Sequence, residues 1–235
     1  MLELQELHSF YGRSHVVQGV SLSVGSGEAV GLVGRNGVGK TTTLKSIMGL
    51  VPRTSGHILF KGRDLRSSPT HARAGRGLGF VPDERAVFPR MTVEENIRIG
   101  AFLQPGPQQA GCLATAYELF PVLGRRRNQA AGTLSGGEQK MLSLARGLAL
   151  KPDLLLVDEP SEGLMPINVD LISRALQQAA ATGMSILVVD ASFELLRSVC
   201  GRLYVMEQGL ITGDHQLSEF STPAELVKTY LRGET

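Results

Sequence analysis

A glycine-rich octapeptide between a predicted strand and a predicted helix constrains the fold more strongly than any other segment. Residues Gly34–Thr41 read GRNGVGKT and fit the pattern G-x-x-x-x-G-K-[ST]. The apolar run Ala29–Val33 precedes it, and Thr41–Met48 has the composition of a helix that Gly49 ends. A strand, a loop and a helix in this order direct backbone N–H groups and the positive end of the helix at one point. The sequence therefore predicts a phosphate-binding loop.

The side chains of this loop suit a nucleoside triphosphate bound with Mg²⁺. Lys40 supplies a point charge to the β- and γ-phosphates, and the Thr41 hydroxyl completes a Mg²⁺ shell. The alternative is a glycine-rich turn with a chance lysine, and the flanking strand and helix argue against it. We predict that ATP is bound by Gly34, Asn36, Gly37, Gly39, Lys40, Thr41 and Thr42.

Two adjacent acids follow the apolar run Leu154–Val157. A buried strand that ends in aspartate can hold the metal of a phosphate-loop NTPase, so Asp158 is a predicted Mg²⁺ ligand. Glu159, one residue later, is placed to polarise the attacking water as a general base. The alternative is an ordinary charged strand end, and the phosphate-binding loop in the same chain argues against it.

Composition narrows the classes of function. The 235 residues suffice for one large α/β domain, or for one domain with an inserted lobe. The net charge is +2 with acids and bases mixed along the chain, so no basic stripe points to a nucleic-acid partner. Cys112 and Cys200 lack metal-ligand spacing. The apolar runs are too short to cross a bilayer, so any membrane role is expected to be peripheral.

Hydrophobic patterning predicts the order of the structural elements. Leu4–Leu7 and Val16–Val24 alternate between apolar and polar residues, whereas Leu154–Val157 and Ile186–Val189 are wholly apolar. Wholly apolar strands that alternate with helices, such as Val169–Ala181, favour a mainly parallel sheet covered on both faces. Further predicted strands are Ile58–Phe60, Leu78–Val81, Arg202–Met206 and Leu210–Gly213.

The middle of the chain has a different pattern. Between Pro82 and about Lys151 the sequence becomes helix-rich, which we interpret as an inserted helical lobe. Gln104–Gln109 is a predicted loop within it, because this stretch contains proline and glycine. A short helix is predicted from Pro223 to Leu231.

The hexapeptide Leu134–Gln139, LSGGEQ, resembles the signature motif of ABC transporter ATPases. Ser135, Gly136 and Gly137 would lie at the start of a helix predicted over Gln139–Leu150 and form a second anion-binding site. The resemblance implies that this site caps the γ-phosphate bound to an opposite subunit, so that two such domains complete the active sites. The alternative is a plain helix N-cap.

The resemblance covers nearly the whole chain and implies the ABC ATPase fold. This fold is an α/β P-loop NTPase core with a mainly parallel sheet, an N-terminal antiparallel β subdomain and an inserted helical subdomain. We expect residues 1–82 and 152–235 to form the catalytic core, and residues from about 83 to 151 to form the helical subdomain with the signature motif. Tyr11 matches the aromatic residue that stacks on adenine, and the alternative is an exposed turn tyrosine.

Asp83 stands where most ABC ATPases carry a glutamine that contacts the metal and the attacking water. A shorter acid can still bind Mg²⁺ through water, although it cannot donate a hydrogen bond. The resemblance therefore implies that Asp83 belongs to the catalytic and metal sites. The alternative is a solvated loop acid.

Several stretches resemble the ATPases of branched-chain amino acid importers, most closely the smaller of the two ATPase subunits. They are Val81–Arg85 with Val87–Pro89, Met91–Asn96, and Glu159–Ser161 continuing to Pro166. The alternative is the related importer of urea or short amides. The resemblance implies that a soluble binding protein, two membrane permease subunits and two unlike ATPase subunits act together at the cytoplasmic face of the inner membrane. A homodimer of ATPase subunits is the other arrangement.

Besides Asp83, two further positions depart from the family pattern. Ala191 replaces the histidine that usually bonds the γ-phosphate, and the D-loop aspartate is also replaced, with Pro166 following that segment. Because alanine cannot bond a phosphate, we hypothesise that the chain binds ATP well but hydrolyses it weakly. A regulatory nucleotide-binding subunit is the rival hypothesis, and the presence of Glu159 argues against it. A third alternative is a soluble ABC protein of DNA repair or translation. Such proteins usually have a long coiled-coil insertion or two ATPase domains in one chain, and this sequence shows neither.

Overall fold

The computed structural model describes residues 1–84, 87–222 and 224–225. Within these residues, ten strands form two sheets that eight α-helices accompany. The strands are β1 (Leu2–Tyr11), β2 (Ser14–Val24), β3 (Ala29–Val33), β4 (Arg53–Phe60), β5 (Arg63–Asp64), β6 (Leu78–Val81), β7 (Leu154–Asp158), β8 (Ser185–Val189), β9 (Arg202–Glu207) and β10 (Leu210–Gln216). The helices are α1 (Lys40–Met48), α2 (Thr70–Gly75), α3 (Val93–Gly100), α4 (Gly106–Leu119), α5 (Pro121–Arg125), α6 (Gly136–Ala149), α7 (Pro166–Ala181) and α8 (Phe193–Val199). No helix in the described part of the chain has both the length and the apolar character needed to cross a membrane.

The two sheets differ in strand direction. The first has the order β2-β1-β4-β5 and is antiparallel throughout. The second has the order β10-β9-β3-β8-β7-β6, in which every neighbouring pair is parallel except β9 with β10. The predicted mainly parallel sheet, the antiparallel N-terminal strands and the late hairpin are therefore confirmed.

Strand β7 shows why the central strands are wholly apolar. Leu154 and Leu156 belong to the core that contains α1 and the antiparallel sheet. Leu155 and Val157 belong to a second core, which contains residues of the helices α3 to α8. All four side chains are fully buried. Because both faces of the strand are covered, polar residues would be buried at either set of alternating positions. Burying each of them contributes about 1.5–3 kcal/mol relative to exposure.

Most predicted elements are confirmed, and two predictions in the helical region are wrong. The predicted loop Gln104–Gln109 contains the start of α4, because Pro107 lies in the first helical turn, where its missing N–H costs nothing. The signature helix begins at Gly136 rather than at Gln139, with Ser135 as its N-cap. The predicted helix Pro223–Leu231 lies almost entirely outside the described residues.

Helices α3 to α6 form a layer that the chain inserts between two neighbouring strands. β6 and β7 pair in parallel, with Val81 opposite Val157, and the whole helical layer lies between them in sequence. Helix α3 packs on α6 through Gly100, where an added Cβ would collide with the carbonyl oxygen of Arg146. This close contact fixes the separation of the two helices.

We expect Gly100→Ala to destabilise the protein by about 1–3 kcal/mol, because α3 would have to move away from α6. Gly111→Ala is the matched control, since Gly111 lies inside α4 with no atom within 4 Å of an added Cβ. This control should be neutral or stabilise by up to about 1 kcal/mol. Urea unfolding followed by circular dichroism measures the free energy of unfolding of both variants. Equal unfolding midpoints in Gly100→Ala and Gly111→Ala would contradict the prediction.

Candidate functional site

Two close backbone contacts shape the predicted phosphate-binding loop. Gly34 has a φ of 156°, and a Cβ there would collide with the carbonyl oxygen of Met206 at the end of β9. Gly39 is the N-cap of α1 with a φ of 114°, and a Cβ there would lie 3.1 Å from the carbonyl oxygen of Val16. Only glycine fits both positions without strain. The loop therefore lies between the last residues of β9 and the first residues of β2.

A cavity of about 160 Å³ lies inside the curve of the loop. It is lined by Val16, Asn36, Gly37, Gly39, Lys40, Thr41, Thr42 and Glu159. Six of the seven predicted loop residues, all but Gly34, and the predicted general base thus face one small polar space that ends at the N-terminus of α1. A larger cavity of about 640 Å³ lies among α4, α6 and α7, but its lining is rich in alanine and leucine and contains none of the predicted site residues.

Lys40 connects the loop to the acid that follows β7. Its Nζ donates to the carbonyl oxygens of Gly34, at 2.9 Å, and of Arg35, at 3.0 Å. The same atom lies 3.7 Å from Oε1 of Glu159. The Lys40 side chain is only 5% exposed, so its charge acts at short range on whatever occupies the cavity.

Thr41, which lines the cavity, connects it to the Asp158 carboxylate, which does not line it. Thr41 Oγ1 donates to Asp158 Oδ1 at 3.1 Å, while Oδ2 is buried with no hydrogen-bond partner among the described residues. Burial raises the pKa of Asp158 to about 6 despite the bond from Thr41. A buried carboxylate oxygen without a partner is unfavourable unless a cation binds it. A hydroxyl beside a carboxylate is also an oxygen pair that Mg²⁺ accepts, so these residues fit the metal.

Glu159 has an unusual backbone conformation for a residue with a side chain. Its φ is 43°, which lies in the left-handed region and costs of order 1–3 kcal/mol for such residues. Its N–H donates to the carbonyl oxygen of Val189 at 2.7 Å, which ties it to the end of β8. The side chain is 19% exposed and lines the cavity. Backbone strain of this kind is typical of residues whose side chains are held in position at functional sites.

Asp83 lies close to Glu159 and also to Glu162. One carboxylate oxygen from each of the three acids lies within 4.8 Å of the others. The Asp83 carboxylate raises the pKa of Glu162 through its charge and a hydrogen bond. Asp83 also accepts a hydrogen bond from Lys140 at 3.2 Å. The structure therefore brings Asp83 to the predicted base, although Asp83 does not line the loop cavity.

The signature segment lies at the start of α6 and does not line the loop cavity. Ser135 is exposed and forms a capping box with Glu138: Ser135 Oγ accepts from the Glu138 N–H at 3.4 Å, and the Ser135 N–H donates to the Glu138 carboxylate at 2.9 Å. Gly137 packs against Asn168 of α7, where an added Cβ would lie 2.6 Å from Nδ2. Within one chain, then, this segment is an accessible helix N-terminus. Gly136 is its first helical residue.

Tyr11 and Ala191 are both exposed at the protein surface. Tyr11 is the last residue of β1 and is 42% exposed, and it does not line the loop cavity. Ala191 lies in the turn that follows β8, beside the buried Asp190. The stacking role of Tyr11 therefore stays a prediction.

The sequence patterns did not indicate two charged residues that lie near Glu159. Asp190 accepts hydrogen bonds from Oγ and N–H of Ser161, at 2.6 and 2.9 Å, and from the N–H of Ser192 at 2.7 Å. It thereby ties the segment after Glu159 to the turn after β8. The other residue is Lys140, on the inner face of α6 one turn before the buried Leu144. A lysine at an apolar helical spacing was the available signal.

Comparison with known proteins places this geometry among transport ATPases. Residues 17–162 match the family described as ABC transporter. BraG of Pseudomonas aeruginosa, a high-affinity branched-chain amino acid transport ATP-binding protein, is 36% identical over 99% of this chain and 100% of its own length. LptB of Escherichia coli, a lipopolysaccharide export system ATP-binding protein, is 35% identical over 97% of this chain and 92% of its own. A solved ATP-binding subunit of an ABC transporter superposes with a TM-score of 0.87 at 25% identity, covering 98% of this chain and 99% of its own.

We expect Lys40→Ala to weaken Mg-ATP binding about 10- to 100-fold, the loss that removing one hydrogen bond to a charged group produces. The matched control is Lys61→Ala, because Lys61 is an exposed lysine paired with Asp153 at the surface. Titration with a fluorescent ATP analogue measures the affinity, and circular dichroism checks that both variants are folded. Unchanged affinity in Lys40→Ala would remove the phosphate-binding role from this loop.

Proposed function

Because this chain belongs to the ABC transporter family as an ATP-binding subunit, we propose that it hydrolyses ATP to power the import of branched-chain amino acids. The observation that carries the ATPase proposal is that Lys40, Thr41 and Glu159 line one cavity. The Thr41 hydroxyl connects this cavity to the buried Asp158 carboxylate, which has an unpartnered oxygen among the described residues.

The proposed chemistry assigns one task to each group. Lys40 binds the β- and γ-phosphates and balances the charge that develops in the transition state. Glu159 accepts the proton of the attacking water, whose oxygen bonds the γ-phosphorus as the bond to ADP breaks. The residues that would hold Mg²⁺ are Thr41 and Asp158, with Asp83 acting through water. When bound, Mg²⁺ would neutralise the negative charge of the phosphate oxygens.

We further propose that two ATPase subunits close face to face, with the signature segment of each on the nucleotide of the other. The support is that Ser135 presents an exposed helix N-terminus, which favours an anion. Met165 and Ile167, beside the Gly137–Asn168 contact, are 65% and 68% exposed although both are apolar. Exposed apolar groups next to an anion site suit a surface that a second subunit covers.

The membrane partners in this proposal are two permease subunits that dock on the helical layer. Phe88, five positions after Asp83, is 45% exposed, and Phe102 and Leu103, which follow α3, are 78% and 55% exposed. These apolar side chains are therefore available to a partner. The chain would then sit at the cytoplasmic face of the inner membrane as a peripheral subunit. A substrate-binding protein would deliver the cargo to the permeases without touching this chain.

The cargo and the direction of transport are the finer part of the proposal. Similarity to BraG over the full length supports branched-chain amino acid import. Similarity to LptB at nearly the same identity makes lipopolysaccharide export the competing function, and import of urea or short amides is a further alternative. Uptake of labelled leucine into vesicles that contain the ATPase with its permeases separates these functions, since only an amino acid importer accumulates label when ATP is enclosed.

We expect Glu159→Gln to retain Mg-ATP binding and to lower the rate of phosphate release by roughly 10²- to 10⁴-fold, the contribution of a general base. Glu118→Gln, a change of the same charge on α4, is the matched control. Size-exclusion chromatography with ATP should also show an enlarged dimer fraction, because the closed pair cannot reopen by hydrolysis. Unchanged turnover would remove Glu159 from the base role.

The hypothesis of weak hydrolysis generates a second prediction. We expect Ala191→His to raise the steady-state rate of phosphate release by roughly ten- to a thousandfold, because a donor to the γ-phosphate returns to the turn after β8. Ala181→His, at the exposed end of α7, is the control and should change nothing. A wild-type chain that is as fast as Ala191→His would reject the hypothesis.

A further inference from the structure

A second lysine contacts the backbone of the proposed general base. Lys140 Nζ donates to the carbonyl oxygen of Glu159 at 2.8 Å and to Asp83 Oδ1 at 3.2 Å. The Lys140 side chain is only 12% exposed, so these bonds are largely protected from water. It does not line the loop cavity, and its role is therefore separate from that of Lys40.

The bond from Lys140 adds to the backbone hydrogen bonds that restrain one strained residue, Glu159. Glu159 has a φ of 43°, a conformation that residues with side chains leave unless their surroundings hold them. On its N–H side, Glu159 is held by the carbonyl oxygen of Val189 at 2.7 Å. The carbonyl oxygen of Glu159 accepts a longer bond from the Glu162 N–H, at 3.3 Å, and the shorter bond from Lys140, at 2.8 Å. A hydrogen bond from an ammonium group is roughly twice as strong as one between neutral groups.

We propose that Lys140 is a positioning residue that holds Glu159 in its left-handed conformation and so aims the carboxylate of Glu159 at the attacking water. The inference rests on the proposed ATPase function. Asp83 takes part as the counter-ion, because its carboxylate sets the direction of the Lys140 side chain. The orientation of the base then depends on a residue of α6, the helix whose first turn is the signature segment.

The required test is a comparison of variants that differ at this one contact. Lys140→Met removes both hydrogen bonds, Lys140→Gln keeps one neutral donor, and Lys140→Arg keeps the charge. Lys61→Met is the control for loss of an exposed cation. We expect kcat for ATP hydrolysis to fall by roughly ten- to a hundredfold in Lys140→Met, the effect of a misplaced catalytic group, with Lys140→Arg restoring most of it. The Kd for Mg-ATP should change less than about twofold, because Lys140 does not line the cavity.

A second measurement keeps the test independent of turnover. Hydrogen–deuterium exchange of peptides that contain Glu159 should be faster in Lys140→Met than in the wild type, with no change in β3 and with Lys140→Arg protected. If Lys140→Met does not fold, the same comparison is made with Lys140→Gln.

The outcomes separate the two proposals. A wild-type chain that binds ATP but never hydrolyses it, alone or with its permeases, rejects the ATPase proposal, and the exchange rates still decide the role of Lys140. Unchanged exchange around Glu159, a wild-type kcat in Lys140→Met, or an arginine variant no better than the methionine variant would overturn the assignment of Lys140.

Discussion

Burial of the six-stranded sheet on both faces is the constraint on which the rest of the structure depends. A sheet covered by two cores can expose functional groups only where its strands end. The carboxyl ends of β3, β7 and β8 are neighbours, and they lead into the phosphate loop, the Asp158–Glu159 pair and the turn at Ala191. The end of β6, beside β7, leads to Asp83. Parallel sheets bind ligands at this edge, so one packing requirement assembles the site from four separate stretches of sequence.

The parts of the site that could be predicted are those whose functional residues are contiguous in the sequence. The loop Gly34–Thr41 and the Asp158–Glu159 pair are contiguous, and each is flanked by an element with a clear period, so both their residue types and their placement follow from short windows of sequence. The start of α4 was missed because Pro107 is read as a helix breaker, although it is accommodated in a first turn. The predicted start of the signature helix is three residues too late for a related reason. Its first two helical residues are glycines, which are poor helix formers.

The contacts that could not be predicted join residues far apart in the chain. Lys140 and Asp83 are separated by 57 positions, and Ser161 and Asp190 by 29. No periodicity reports such pairs, because their approach depends on how α6 lies on the sheet and how the ends of β7 and β8 align. These long-range polar contacts surround Glu159. The position of the proposed general base therefore depends on contacts between distant parts of the chain.

The insertion of α3 to α6 between β6 and β7 has a geometric consequence for how this chain could transmit motion. The layer leaves the sheet at the edge that carries Asp83 and returns at the opposite edge, at Leu154, because the two strands run parallel. The layer is therefore attached to the sheet at both ends of one strand pair. Asp83 lies at the attachment on the functional edge, beside Glu159 and Glu162, so a change in the position of the layer would reach these acids through Asp83.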